Sequence, residues 1–327
     1  MSSGSIIDRF RASESLPSLP SVAIEVLSLT EQPDCTIEQL ASVVQNDPAL
    51  TARILKVINS PLFGVAKHIT SIKQASTLLG MRKLRIMALS FSIVHSIAPR
   101  EDRGTFDYER YWRVALTAAV AARLLATQTA RPLTEDAFVA GLLHNIGLVA
   151  GHLTAPDLFA PLLEQQAKTG GWTVEDEIEA LGVSHAELSA ALLDVWGLPE
   201  SLTEAVRGYR EAEVGQPAPT GEPSLSRLVC AGVAIADLFA GDAAIGDIER
   251  CRARCIRLTG IRGESLEHVL DAVATRVQEI ASMLSLKIGE PISYERIVSR
   301  AKAQLNLAIS ADETPDARKP GKRGRAA

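Results

Sequence analysis

Three places in this sequence combine residue types that do metal chemistry with an apolar setting. In "AFVAGLLHNIGLVAGHL", residues 137–153, His144 and Asn145 stand side by side at the centre of an almost wholly apolar run. An adjacent His and Asp on a helix would offer a metal an imidazole and a carboxylate from neighbouring positions. That carboxylate could also bridge two cations. Asn145 keeps the shape of such an acid without its charge, and an amide is a poor ligand for Zn, Fe or Mn. His185 lies in "SHAELSAALLDVWGLP", in the first turn of a helix capped by Ser184, and Asp237 in "AGVAIADLFAG" puts an acid on an apolar helix. The chemistry of such a set would be metal-assisted hydrolysis. The plainer reading is that buried polar groups bond to local partners. On the residues alone, His144–Asn145 reads as a structural or vestigial pair, His185 as a ring pinned by its helix, and Asp237 as an acid with a local partner.

Two other patterns carry chemistry in principle. Cys251 and Cys255 are one helical turn apart in "CRARC", with Cys35 and Cys230 elsewhere. No His lies near them in sequence, and the chain reads as cytosolic, so free thiols without a metal are expected. "SIKQASTLLGMRKLRIMAL" runs from helix through a Gly turn to a basic helix, the outline of a helix-turn-helix over residues 71–90. Arg82, Lys83 and Arg85 would be its phosphate contacts. The second helix is apolar on one face and lacks polar readers, so these charges read as a solvated basic face.

The elements that must position these residues are helical throughout. Thr36 with Gln39 forms a capping box, and Asp47 with Pro48 starts the next helix. Leu50, Ile54, Val57 and Ile58 repeat at helical spacing. "SIKQASTLLG" begins at a Ser cap and ends at Gly80, and "MRKLRIMALSFSIVHSIA" follows. An Ala-rich helix is predicted over about Tyr108 to Thr129, then one helix through the opening segment, begun by Thr134, Glu135 and Asp136. "GWTVEDEIEALG" and the Ser184–Glu187 capping box mark two more, the latter closed by Gly197 and Pro199. Three or four helices lie between Leu225 and about Ile309.

Composition agrees. Aromatics make up 4% of the 327 residues, so aliphatic residues and Ala must fill the core, which favours helix on helix. A net charge of −5 argues against a whole-protein nucleic-acid binder. Residues 137–156 are uncharged and long enough to cross a bilayer, but two His, an Asn and three Gly make that costly. "MSSGSIIDRFRASES" has no signal-peptide apolar run, so a cytoplasmic, non-membrane protein is expected.

The ordered segments "LPSLPSVAIEVLSL", "VVQNDPALTARILKVINSPLFG", "SIKQASTLLG", "YWRVAL", "AFVAGLLHNIGLV" and "LGVSHAELSAALLDVWGLPESLTEAV" resemble the HDOD family, the HD-related output domain of bacteria, over about Leu16 to Glu211. The resemblance implies an all-α bundle related to HD-domain phosphohydrolases, with an additional N-terminal helical subdomain and a helical C-terminal extension. It implies an HDOD unit over 14–211 (14–103 N-terminal, 104–211 HD-like), with a C-terminal helical part at 224–310 packing on the HD-like core; the Pro-, Gly- and acid-rich composition of 212–223 reads as a linker, and the basic tail at 311–327, with no apolar residue larger than Ala in "DARKPGKRGRAA", as disordered. In HD enzymes the metals sit on a His, a His-Asp pair and further His and Asp residues. Matched here, the first ligand falls at Val114, the pair at His144 and Asn145, a later His at His185, a His pair at Tyr209 and Arg210, and the final acid at Asp237. His144, His185 and Asp237 are thereby retained, while Val114, Asn145, Tyr209 and Arg210 lack the expected ligands.

The resulting expectation is a non-enzymatic regulatory module of bacterial signal transduction that needs no cofactor or metal. It would act by binding signalling proteins, among them one that handles a cyclic dinucleotide. The rivals are a metal-dependent HD-type phosphohydrolase with an unusual ligand set and a DNA-binding regulator acting through residues 71–90.

Overall fold

In a computed structural model, the described residues are 7, 19–30, 34–97, 106–169, 172–213, 220–240, 244–290 and 292–312, and among them there is no β-strand. Half of the linker expected at 212–223 and nearly all of the tail expected at 311–327 lie outside these residues.

The N-terminal helices are α1 (Ser21–Thr30), α2 (Ile37–Gln45), α3 (Pro48–Ile58), α4 (Ile72–Leu79) and α5 (Met81–Ile97). Their caps are those the sequence announces. Thr36 and Gln39 close a capping box, Asp47 caps α3 ahead of Pro48, and Ser71 caps α4. The loop after α3 is pinned by one side chain. The Asn59 amide donates to the carbonyls of Leu55 and Ile69 at 2.8 and 2.7 Å and accepts from the Ile69 N–H at 2.7 Å.

α5 is buried on nearly every face from Leu84 to Val94, and it packs on α1, α3, α4 and the later helix α7 (Thr134–Leu143). A helix apolar all round belongs inside a protein. This corrects the reading of residues 71–90. α4 and α5 are joined by the single residue Gly80, at φ 85°, where a DNA-binding motif has a turn of about 3–4 residues. Arg82 is exposed, as a solvated basic face requires, while Lys83 and Arg85 are half-buried. Arg82 bonds Asp136 at 2.9 Å and Ser201 at 3.1 Å, and Lys83 pairs with Glu135. Glu135 also receives Arg123, 3.3 Å away, whose guanidinium lies 3.7 Å over the Phe63 ring and donates to the Leu62 carbonyl. Arg123 is fully inside the protein, so these cations tie the N-terminal helices to the rest of the fold.

The Ala-rich helix α6 (Tyr108–Thr129) is the axis of the remainder. α7, α13 (Leu225–Ala240) and α15 (Gly263–Leu284) pack along it. Small residues allow this closeness. A Cβ at Gly141 on α7 would fall 2.7 Å from Ala119 Cα, and one at Gly232 on α13 would fall 2.6 Å from the Ala118 carbonyl oxygen. The other helices are α8 (Ile146–Thr154), α9 (Pro156–Thr169), α10 (Val174–Leu181), α11 (His185–Val195), α12 (Glu200–Gly208), α14 (Ile245–Thr259) and α16 (Tyr294–Asp312). Cys251 and Cys255 are buried free thiols on the face of α14 that meets α13.

The apolar stretch expected as one helix is two. α7 stops at Leu143, His144 and Asn145 turn the chain, and α8 begins at Ile146. Side chains break the backbone ladder there. The His144 ring N–H takes the Gly141 carbonyl at 2.7 Å, and the Gly147 N–H goes to Ser189 Oγ on α11 at 2.9 Å. Within Arg131–Thr154, 78% of the most apolar window is buried inside the fold.

Candidate functional site

The turn between α7 and α8 carries His144 and Asn145 into the interior, where they are 2% and 3% exposed. α11 brings His185, capped by the Ser184–Glu187 box, and the residue after α12 brings Tyr209. Ser189 Oγ, which holds the Gly147 N–H, also donates to the His185 carbonyl at 2.7 Å, locking α8 against the first turn of α11.

The His185 ring has both nitrogens engaged. Nδ1 lies 2.6 Å from Glu177 Oε1 on α10, and the Glu177 Oε2 accepts the His185 backbone N–H at 2.9 Å. Because the carboxylate can only accept, Nδ1 carries the proton. Nε2 then accepts the Tyr209 hydroxyl at 2.8 Å. Glu177 also receives Trp172 Nε1 at 2.8 Å. Burial pushes the Glu177 carboxyl up, but the bonds from His185 and Trp172 outweigh it and hold the group below its ordinary value. Glu177 was not foreseen as a site residue. It is one acid in the run "VEDEIEALG", and only the packing of α10 separates it from its exposed neighbours Glu175 and Glu179.

His144 is held differently. With Nδ1–H on the Gly141 carbonyl, Nε2 keeps its lone pair, the tautomer a metal requires. Burial, with repulsion from His185 and Arg210, pushes its pKa down to about 3, against the raising effect of the Gly141 bond. The Tyr209 ring meets it edge-on with centroids 5.5 Å apart. Tyr209 is 2% exposed, and burial raises its hydroxyl pKa. Arg210 brings a guanidinium to 3.5 Å from His185 Nδ1.

The remaining matched positions stand at the edge. Val114 on α6 and Asn145 line a small cavity of about 100 Å³. The Asn145 carbonyl oxygen is buried with no hydrogen-bond partner among the described residues. Asp237 on α13 is solvent-exposed, and the protein packed around it raises its carboxyl pKa, while Arg254 and Arg210 act in the other direction. The structure thus gathers His144, Asn145, His185, Tyr209 and Arg210 into one centre, with Val114 and Asp237 beside it. Among the described residues, no group of three or more His, Cys, Asp or Glu is placed to hold a metal ion. What the centre can do is bond α7, α8, α10, α11 and the end of α12 together through side chains.

Comparison with known proteins places this geometry. The HDOD domain model matches residues 16–212. An uncharacterized protein of Treponema pallidum is 31% identical over 205 residues, which span 62% of this chain and 38% of that protein. A crystal structure from Shewanella amazonensis that carries a phosphohydrolase name superposes with a TM-score of 0.62 at 23% identity, covering 87% of this chain and 98% of that one. A Marinobacter aquaeolei structure named for signal transduction superposes with a TM-score of 0.58 at 25% identity, covering 86% and 64%.

Proposed function

The chain belongs to the HDOD family, and from that premise we propose that it is a non-catalytic module of bacterial signal transduction that acts by binding another protein. Family membership and the signal-transduction name of the Marinobacter neighbour support a regulatory module. The observation that carries the non-catalytic reading is the state of His185. A metal ligand needs a free imidazole lone pair, and here Glu177 takes one nitrogen and the Tyr209 hydroxyl fills the other. Asn145 lacks a charge, Val114 lacks a donor, and Arg210 adds a positive charge to a place where a cation would need negative ones. The HD-type metal centre is, in this reading, replaced by a hydrogen-bonded strut of Glu177, His185 and Tyr209 that makes the same connection between helices. The partner is a signalling protein, with one that handles a cyclic dinucleotide the first to be tried, and the setting is the cytoplasm.

The test is to assay the purified chain with Mn²⁺ or Mg²⁺ against a cyclic dinucleotide and a phosphomonoester, and to capture partners from the native host. No turnover, with a signalling protein retained, is the expected result. Turnover that disappears in His144→Ala or Asp237→Ala would replace this reading with the phosphohydrolase one, which the name of the Shewanella neighbour keeps in view.

A further inference from the structure

Where the end of α3 and the loop after it meet the last turn of α15, the surface holds a cleft of about 670 Å³ that shares no residue with the His144 centre. Leu55, Ile69 and Met283 supply its apolar surface, Lys56 and His68 its basic groups, and no acid lines it. Lys56, His68 and the adjacent Lys67 are exposed, and none of the three has an ion pair or side-chain hydrogen bond among the described residues. Lys56 is not needed to close α3, because the Leu55 and Val57 carbonyls already take the Asn59 amide and the Ser60 hydroxyl. The sequence around the cleft is one-signed as well. From Pro48 to Arg100 there is no Asp or Glu, in a chain whose net charge is −5. Of the lining residues Ile69 alone is buried, so the cleft suits side chains presented by another surface rather than an enclosed small molecule.

The complementary surface is on α10. Ile178 is 51% exposed there, with Glu175 a turn before it and Glu179 next to it. Both acids are exposed, and neither has an ion pair among the described residues. Residues three and four apart share a helix face, so Glu175, Ile178 and Glu179 stand together. None of the other large apolar side chains that stand exposed, from Ile24 to Ile256, has such acids on both sides. α10 packs chiefly on α9, which leaves this face clear. We propose that the cleft receives α10 of a second copy of this chain. Ile178 sits on Leu55, Ile69 and Met283, and Glu175 and Glu179 meet Lys56 and Lys67. One sequence thus supplies both surfaces, apolar against apolar and acid against base. Glu177 lies on the inner side of the same helix, bonded to His185, so the contact bears on the strut through one helix. The proposal is independent of whether the centre holds a metal.

The test is sedimentation velocity of the full chain at rising concentration, in low and in high salt, with Ile178→Ser and Lys56→Glu as variants. Both positions are exposed, so the core is left intact. The parent chain should associate reversibly, and salt should weaken the association by screening the exposed charges. Each variant should weaken it by roughly tenfold or more, the loss of about one good contact. An equimolar mixture of the two variants should associate more strongly than either alone, because the first keeps its cleft and the second keeps its Ile178. A parent chain that stays monomeric overturns the proposal. If that monomer retains a signalling protein and Lys56→Glu loses it, the cleft belongs to that partner instead. Association that both variants leave unchanged, or a mixture no stronger than its components, overturns the self-contact as well.

Discussion

The Tyr209 hydroxyl lies 2.8 Å from Nε2 of His185, the ring nitrogen whose lone pair a metal would need. Tyr209→Phe keeps the ring and removes only this bond, leaving a buried imidazole nitrogen unpaired. Such a loss costs about 1–3 kcal/mol, and urea unfolding of the variant should show a drop in that range. Tyr209→Phe with unchanged stability would mean that the contact contributes nothing to holding the helices together.

His144 predicts a pH dependence. Its pKa falls from 6.5 to about 3 in the fold, so the native state keeps the ring neutral while the unfolded chain takes up a proton. The unfolded state binds more protons below the ordinary value, and stability must fall as pH falls. The loss from this residue is about 1.6 kcal/mol between pH 6.5 and pH 5. Glu177, held below its ordinary value, adds a loss of the same sign at more acid pH. Denaturant curves at the two pH values should show the decrement in the parent chain and a smaller one in His144→Gln, which cannot protonate. Equal decrements in both chains would show that His144 titrates normally.

The tie between the N-terminal helices and α6 rests on Glu135, which serves Arg123 and Lys83 together. Burial raises its carboxyl pKa, and the two cations lower it by more. Glu135→Ala leaves Arg123 charged, buried and without its acid, which costs about 3–5 kcal/mol. Replacing Arg123 by Met as well should recover part of that loss. Thermal unfolding of the single and double variants measures the difference, and a single variant as stable as the parent would refute the role.

Gly147 sets the approach of α8 to α11. A Cβ there would sit 2.6 Å from the Ser189 nitrogen and 2.8 Å from the His185 carbonyl oxygen, both backbone atoms that cannot swing away. Gly147→Ala should destabilise by about 1–3 kcal/mol and loosen the His185 environment, seen as a shifted His185 ring resonance in NMR. A stable variant with unshifted histidine signals would show that the contact has slack.

How much of this could be read beforehand follows from the range of each interaction. Caps are local, so Thr36–Gln39, Asp47–Pro48 and Ser184–Glu187 are visible as letters three apart or adjacent, and α6 was placed correctly at both ends. The helical class and the HDOD resemblance stand for the same reason. The break at His144–Asn145 was not legible, because it depends on Ser189 reaching Gly147 from 42 residues away. The destination of Arg82 and Lys83 was hidden likewise, since their acids lie more than 50 residues on. Glu177 looked like any other acid of a solvated turn. Among the matched ligand positions the sequence named which residues had changed, but only the fold shows Tyr209 bonded to His185.

The central claim is that side-chain hydrogen bonds occupy the place of an HD-type metal centre. Elemental analysis of the full chain, purified without chelator and then titrated with Mn²⁺ and Zn²⁺, tests it most directly. The account predicts no stoichiometric metal as purified and no saturable site near His144 on titration. One metal per chain that is lost in both His144→Ala and Asp237→Ala would contradict it.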